Sequence, residues 1–408
     1  MTELSKTGFT DKSYVLGRRE KTLNAALNIG RYYALDSSLG SDVYIDILRP
    51  HIVLICGKRG YGKSYTIGVF IEEMGLLEKK VKENLGVVVF DTLGIYWTTK
   101  FANKEEKLLL ERWNCTPEGF EINLFVPKRY VKQYKENKID VKPYSIRVSE
   151  LSAFHWCQLF DVKPSSSFGI VLTRAVLRMK EKSDLFSISD LLNCIKKDER
   201  CNDEIKGAAE NFLSFAESWG VFDKKGIEIT ELVKRGEISV LDISNLSNPV
   251  LKDIVASIIG RKIFEERVKE NGMPMVWMAI DEAQLFLPND KETLGKEIFI
   301  KEWMRQGRQP GLSLIMATQR PSSLDSEVLS HADIIICHRL TAQEDIDALS
   351  NIRPTYMHST IKESIKKVGD ERGVALIVDD TSESSHIIKI RPRISWHGGA
   401  ESLVIESF

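Results

Sequence analysis

The chain reads as an α/β protein whose largely parallel sheet is covered by helices on both faces. Three observations lead there. Short apolar runs recur along the 408 residues: IVLIC (52–56), GVVVF (86–90), SVLDI (239–243), MVWMAI (275–280), LSLIMA (312–317), DIIIC (333–337) and VALIV (374–378). These runs scarcely alternate between apolar and polar residues, which marks strands buried from both sides rather than half-exposed antiparallel ones. Between them lie segments with helical spacing. The clearest is Leu251, Ile254, Val255, Ile258, Ile259, Ile263 and Val268, one apolar stripe on a helix of about five turns, closed at Asn271-Gly272.

The elements divide the chain in order. In residues 1–50, a Gly/Ser turn signal and the alternating Val43, Ile45 and Ile47 predict a short β-rich segment with a hairpin, too small for an independent barrel. Residues 51–149 form the first part of the α/β core. From 150 to 235 the strand signal fades, and stretches such as FGIVLTRAVLRMK (168–180) and EIKGAAENFLSFAESW (204–219) predict a helical insertion. Residues 236–408 return to strands and complete the core.

Composition sets outer limits. With 43% apolar and 28% charged side chains the chain has ample material for a core, which excludes disordered and fibrous classes. Its 57 Lys and Arg nearly balance 58 Asp and Glu, so a polyanion would have to be held by locally segregated charge. The six cysteines are scattered without a C-x-x-C pair and read as free thiols of a reducing, cytoplasmic compartment. His155 near Cys157 and His338 beside Cys337 lack a second pair at zinc-site spacing, so no structural metal is expected. No run approaches the roughly 18 apolar residues of a membrane span, and the start MTELSKTGFTDKSYVLGRREK has no apolar leader.

The chemistry concentrates in four places. The first is Gly57-Lys58-Arg59-Gly60-Tyr61-Gly62-Lys63-Ser64, with a buried strand before it and an amphipathic stretch opening at Tyr65. This is a phosphate-binding loop in its proper context. The glycines let backbone N–H groups turn onto phosphates, and the following helix adds the positive end of its dipole. Residues 57–65 are therefore the candidate ATP-binding residues, Lys63 neutralising the β and γ phosphates and Ser64 offering a hard hydroxyl ligand to Mg²⁺. The second is Asp281-Glu282 at the end of MVWMAI. Asp281 suits the Mg²⁺ hydration shell, and Glu282 suits the base that orients the water attacking the γ-phosphate. An acidic pair after a strand is also an ordinary helix start. The third is Gln319, at the tip of LSLIMAT, able to touch the γ-phosphate or the water, or to cap the next turn. The fourth is KEWMRQGRQPG (301–311), a helix stopped near Gly307. It leaves Arg305 in the last turn and Arg308 beyond it, where each serves the helix dipole or acts as an arginine finger on another subunit's nucleotide.

In order and wording these motifs resemble the HerA-type branch of the HerA/FtsK superfamily of ring-forming DNA-translocating ATPases. The carriers are GKRGYGKS, VVVFDTLG (87–94), SVLDISNL (239–246), AIDEAQLFLP (279–288), RQGRQPGLSLIMATQRPSSLDSEVLS (305–330) and IIICHRL (334–340). The resemblance implies an ASCE-type, RecA-like P-loop NTPase core that assembles as hexamers with ATP sites between subunits. It further implies Glu282 as catalytic base, Gln319 as γ-phosphate sensor, and an arginine from 305–308 acting in trans. The chain departs from the pattern twice. Gly94-Ile95-Tyr96 lacks the acid of the family's Gly-Glu-Tyr, so no catalytic role is assigned there. The N-terminal segment is also far shorter than the β-barrel that docks partner nucleases, which leaves a NurA-type partner open.

The expected function is an ATP-hydrolysing oligomeric motor acting on double-stranded DNA. The alternatives are a packaging- or conjugation-type ATPase, or an ATP-dependent switch or scaffold in an antiviral module. For DNA contact, residues 127–144 hold six Lys and Arg against two acids with Tyr130, Tyr134 and Tyr144 interspersed; such a segment is a pore-lining track or simply a solvated face.

Overall fold

The computed structural model describes residues 14–19, 24–34, 36–269, 272–351 and 362–399. They contain the strands β1 (Tyr14–Leu16), β2 (Ala26–Tyr33), β3 (Leu39–Asp46), β4 (Ile52–Cys56), β5 (Leu85–Asp91), β6 (Ile122–Pro127), β7 (Lys142–Tyr144), β8 (Ile146–Arg147), β9 (Phe222–Asp223), β10 (Ile238–Asp242), β11 (Met275–Ile280), β12 (Leu312–Thr318), β13 (Ile334–Cys337), β14 (Val374–Asp379) and β15 (Ser384–Ile390). Thirteen of them make one sheet, in the order β1-β3-β2-β15-β14-β13-β4-β12-β11-β5-β10-β6-β7. From β13 to β7 every neighbouring pair is parallel. All seven apolar runs are strands of this sheet.

Both faces of the sheet are buried, as the non-alternating runs require. On β4, Val53 and Ile55 point into an apolar cluster with Ile67, Phe70 and Met74 of the helix Lys63–Leu76. Leu54 and Cys56 point the other way, into a cluster with Ile254 and Ile258 of the helix Pro249–Val268. That helix starts where Asn248 accepts the N–H groups of Val250 and Leu251. Asn271, expected at its end, lies outside the described residues.

The helices Ala153–Leu159, Ser167–Lys182, Ile188–Lys196 and Asp203–Ser218 occupy the region read as an insertion. Trp156, Phe168 and Leu172 of this bundle share one continuous apolar cluster with Val276 and Met278 of β11. The β2–β3 hairpin joins the main sheet through β15, where Tyr32 pairs with Ile388 and Gly30 with Ile390.

The segment after β15 crosses the helix that follows the phosphate loop and is fastened to it by buried charge. Glu72, fully buried, accepts from Arg391 Nη1 (2.8 Å), Arg393 Nε (3.1 Å), and the backbone N–H groups of Ile394 (3.1 Å) and Ser395 (3.0 Å). Gly68 makes room: a Cβ there would lie 2.5 Å from Arg393 Cζ.

Candidate nucleotide-binding site

Parallel strands end at a common edge, so the residues that follow β4, β5, β11 and β12 meet there. After β4 comes the loop 57–62. Gly57 adopts φ 150° against His338, whose Cβ would be 2.6 Å from a Cβ at position 57. Gly62, at φ 110°, turns the chain into the helix Lys63–Leu76. No acid occupies that helix's first turn, so its free N–H groups and dipole are left for an anion. The loop is braced from behind by Lys58 N–H donating to Arg339 O at 2.8 Å and by Gly57 N–H donating to Thr318 O at 3.3 Å. His338 sits beneath it, between Thr66 Oγ1 (2.9 Å) and Val374 O (3.2 Å), and burial pushes its pKa down to about 4. A neutral imidazole with its proton on Nδ1 donates to Val374 O and leaves Nε2 to share the Thr66 hydroxyl proton with Gly62 O, 2.9 Å from the same Oγ1.

Lys58, Arg59 and Gly60 are exposed at the tip of the loop; the Arg339 guanidinium lies over the Tyr61 ring at 5.5 Å and pairs with Asp370. Lys63 is buried, and Nζ donates to Lys58 O at 3.2 Å. Burial lowers its pKa, while Glu282 and Asp281 act in the opposite direction. Tyr65 directs its hydroxyl to the C-terminal segment, donating to Glu106 (2.8 Å) and accepting the Arg393 N–H (2.6 Å).

Asp281 is buried at the floor of this edge, and desolvation raises its pKa against hydrogen bonds from Ser64 and Tyr96. Its carboxylate accepts the Tyr96 hydroxyl on Oδ2 at 2.9 Å and the Glu282 N–H on Oδ1 at 2.9 Å. The Ser64 hydroxyl and this carboxylate are two adjoining hard oxygen donors, the set that Mg²⁺ takes beside a phosphate. The residues present fit the ion.

Glu282 takes the left-handed backbone conformation, φ 53° and ψ 50°, unusual for a side chain of this size. Two amides hold its carboxylate: Gln319 Nε2 donates to Oε1 at 2.7 Å, and Gln284 Nε2 donates to Oε2. Gln284 is itself oriented, because Thr318 Oγ1 donates to its carbonyl at 2.9 Å. The fold thus gathers Lys63, Ser64, Asp281, Glu282 and Gln319 from distant stretches of sequence.

Arg305 and Arg308 are not part of this gathering. Both precede β12, at its opposite end from Thr318, and seven strand residues span roughly 23 Å. Arg305 ends a helix with π-type hydrogen bonding and pairs with Glu327 at 2.6 Å; Arg308 is exposed. Neither reaches the phosphate loop of its own chain.

Sequence reasoning missed Gln284, Tyr96, His338 and Arg339. The first had a signal, its place two residues after Glu282. Tyr96 belongs to a motif whose acid this chain lacks, and the sequence around His338 suggests only a metal ligand. No group of three or more His, Cys, Asp and Glu side chains placed to hold a metal occurs among the described residues. In the 127–144 segment the tyrosines are engaged inward: Tyr134 OH donates to Asp242, Tyr144 OH to Asp242 O (3.3 Å) and Tyr130 OH to Asn245 O (3.3 Å). Lys128 pairs with Asp223 at 2.8 Å, whereas Lys135 and Lys138 are exposed.

The model of the Helicase HerA central domain matches residues 27–263, more than half of the chain. The chain belongs to the HerA family. A DNA double-strand break repair helicase HerA of Sulfurisphaera tokodaii is 24% identical over 91% of this chain and 71% of its own length. Another, of Saccharolobus solfataricus, is 25% identical over 72% of this chain and 56% of its own length. The chain thus spans between about half and three quarters of these two relatives. Among solved structures, VirB4 of Thermoanaerobacter pseudethanolicus superposes with a TM-score of 0.58 over 92% of this chain and 98% of its own, at 14% identity. That likeness places the fold, an α/β P-loop core. No helix of the described residues is long and apolar enough to cross a membrane.

Proposed function

We propose that this HerA-family chain hydrolyses ATP as a subunit of a ring, a hexamer by family resemblance, and couples turnover to movement along double-stranded DNA. The observation that carries the reading is the meeting of Lys63, Ser64 and Asp281 with Glu282 at the edge where the phosphate loop lies. The loop N–H groups and Lys63 would bind the β and γ phosphates. Ser64 and Asp281 would hold Mg²⁺, which supplies charge neutralisation at those phosphates. Glu282 orients a water and takes its proton as the water oxygen bonds to the γ-phosphorus and the bridge to the β-phosphate breaks. Gln319 and Gln284 fix the direction in which that carboxylate points. An arginine of the 305–308 segment, too far away within one chain, would come from a neighbouring copy.

Glu282→Gln tests the chemistry and the motor together. The amide keeps size and polarity but accepts no proton, so turnover should fall about 10²–10⁴-fold while a fluorescent ATP analogue still binds. DNA should stimulate the wild-type hydrolysis, and DNA transport should stop in the variant. An ATP-dependent switch or scaffold would instead keep its DNA-linked activity in Glu282→Gln with ATP bound. That outcome, or wild-type turnover indifferent to DNA, would remove the motor reading.

A further inference from the structure

The loop after β5 lacks the acid its motif usually carries, yet its tyrosine is built into the site. Asp91, the last residue of β5, is fully buried and gathers the loop onto itself. It accepts the N–H groups of Leu93 (3.2 Å) and Gly94 (2.7 Å) on Oδ1 and that of Tyr96 (2.8 Å) on Oδ2. This turn carries the Tyr96 ring inward until no part of it meets solvent. Its hydroxyl then donates to Asp281 Oδ2 at 2.9 Å and lies 3.5 Å from the Ser64 carbonyl oxygen. With the Glu282 N–H on Oδ1, both oxygens of Asp281 are fixed, and the carboxylate faces the Ser64 hydroxyl. From the other side, Gly94 abuts the loop after β10: a Cβ there would meet Ser244 Oγ at 2.8 Å.

We propose that Tyr96 is a positioning residue for the metal end of the site. Acting through Asp281, it sets the affinity for the divalent cation that accompanies the nucleotide. The inference rests on the ATPase reading and deepens it. A phenol suits the task because it donates one hydrogen bond to Asp281 without bringing a second negative charge next to a buried carboxylate. Groups that orient a metal-binding carboxylate in this way typically change metal affinity by about 10–100-fold when removed.

Tyr96→Phe keeps the buried ring and deletes only the donor. The readout is equilibrium binding of a fluorescent ATP analogue at rising Mg²⁺, with turnover not required, alongside thermal melting of the protein without nucleotide. The expected result is a half-saturating Mg²⁺ concentration raised about tenfold, with binding recovered at saturating Mg²⁺. In an Asp281→Asn background the same change should shift nothing further, because the group it acts through has lost its charge. An unchanged Mg²⁺ midpoint, accompanied by lower melting or not, overturns the proposal. So does a full tenfold effect that persists in the Asp281→Asn background. If the wild-type chain itself binds the analogue without regard to Mg²⁺, the ATPase reading is what has failed.

Discussion

Glu72→Gln should loosen the attachment between the phosphate-loop helix and the C-terminal segment, by an amount the hydrogen-bond pattern lets one work out. Oε1 accepts from Arg393 Nε, Ser395 N and Ser395 Oγ; Oε2 accepts from Arg391 Nη1 and Ile394 N. A glutamine has one carbonyl and one NH₂, so at best it keeps the first group and turns a donor toward the second. Arg391 retains Glu73 at 2.8 Å, but Arg393 is completely buried and pairs with no other carboxylate among the described residues. Removing one partner from a buried ion pair costs about 3–5 kcal/mol, much of it from stranding the other charge. At roughly 2.1 cal/mol/K per residue, the described residues unfold with an entropy of ~0.8 kcal/mol/K, so ~4 kcal/mol lowers the melting midpoint by about 5 °C. Calorimetry on wild type, Glu72→Gln and the double variant Glu72→Met with Arg393→Met provides the assay. The double variant should recover much of the loss, since it strands no charge at position 393. A Glu72→Gln midpoint within about 1 °C of wild type, or a double variant that melts no higher than Glu72→Gln, would refute the reasoning.

Three further outcomes are expected. His51 bridges Asp333 (2.6 Å) and Asp46 (3.1 Å); burial lowers its pKa, but the two carboxylates outweigh burial and raise it to about 9. A raised pKa stabilises the fold fully below about pH 6.5 and is lost as pH passes 9, a span worth about 3 kcal/mol; chemical denaturation from pH 6 to 10 should show it, and a His51→Gln profile parallel to wild type would exclude it. Lys135→Ala or Lys138→Ala should each reduce the slope of log DNA affinity against log salt by about one unit if the 127–144 segment follows the phosphates, and an unaltered slope removes it as a track. Lys63→Ala and Arg308→Ala, each inactive alone, should regain hydrolysis when mixed, because mixed assemblies contain intact sites with both parts; if Arg308→Ala is fully active, Arg305→Ala takes its place in the mixture, and if that too is fully active the trans role is wrong.

The strands that sequence revealed were those buried on both faces, because continuous apolar runs leave a local trace. β15, SSHIIKI, lies half-exposed for most of its length and leaves none; β6 has only a brief apolar stretch between Asn123 and Pro127. The hairpin of the first fifty residues could be read, but not its attachment, since Gly30 and Ile390 are joined by pairing alone. The site follows the same rule. Gly57, Gly62, Lys63 and Ser64 announce themselves because one loop must meet one phosphate group. Asp281, Glu282 and Gln319 were found as polar residues at the tips of buried strands. Tyr96 carries no such mark: its partner is 185 residues away, and a lone tyrosine after a strand is ordinary in any chain. Arg391 and Arg393, more than 300 residues from Glu72, were equally silent.

A parallel sheet also has two unlike edges, and this chain places different groups on each. Every strand from β13 to β6 delivers its last residue to the same side, so the phosphate loop, Asp281, Glu282 and Gln319 converge without any loop having to travel far. Arg305 and Arg308 enter β12 from the opposite side. A guanidinium reaches only ~7 Å from its backbone, well short of the ~23 Å of strand between them. Bending one chain to close that gap would break a sheet whose residues are buried on both faces, at a cost far above what one charge contact returns. A second copy meets no such obstacle, because the two edges then belong to different molecules. The geometry therefore ties any contribution of these arginines to assembly: if they act on the nucleotide of a neighbouring copy, specific activity should rise with protein concentration, and activity per chain that stays constant on dilution would rule that contribution out.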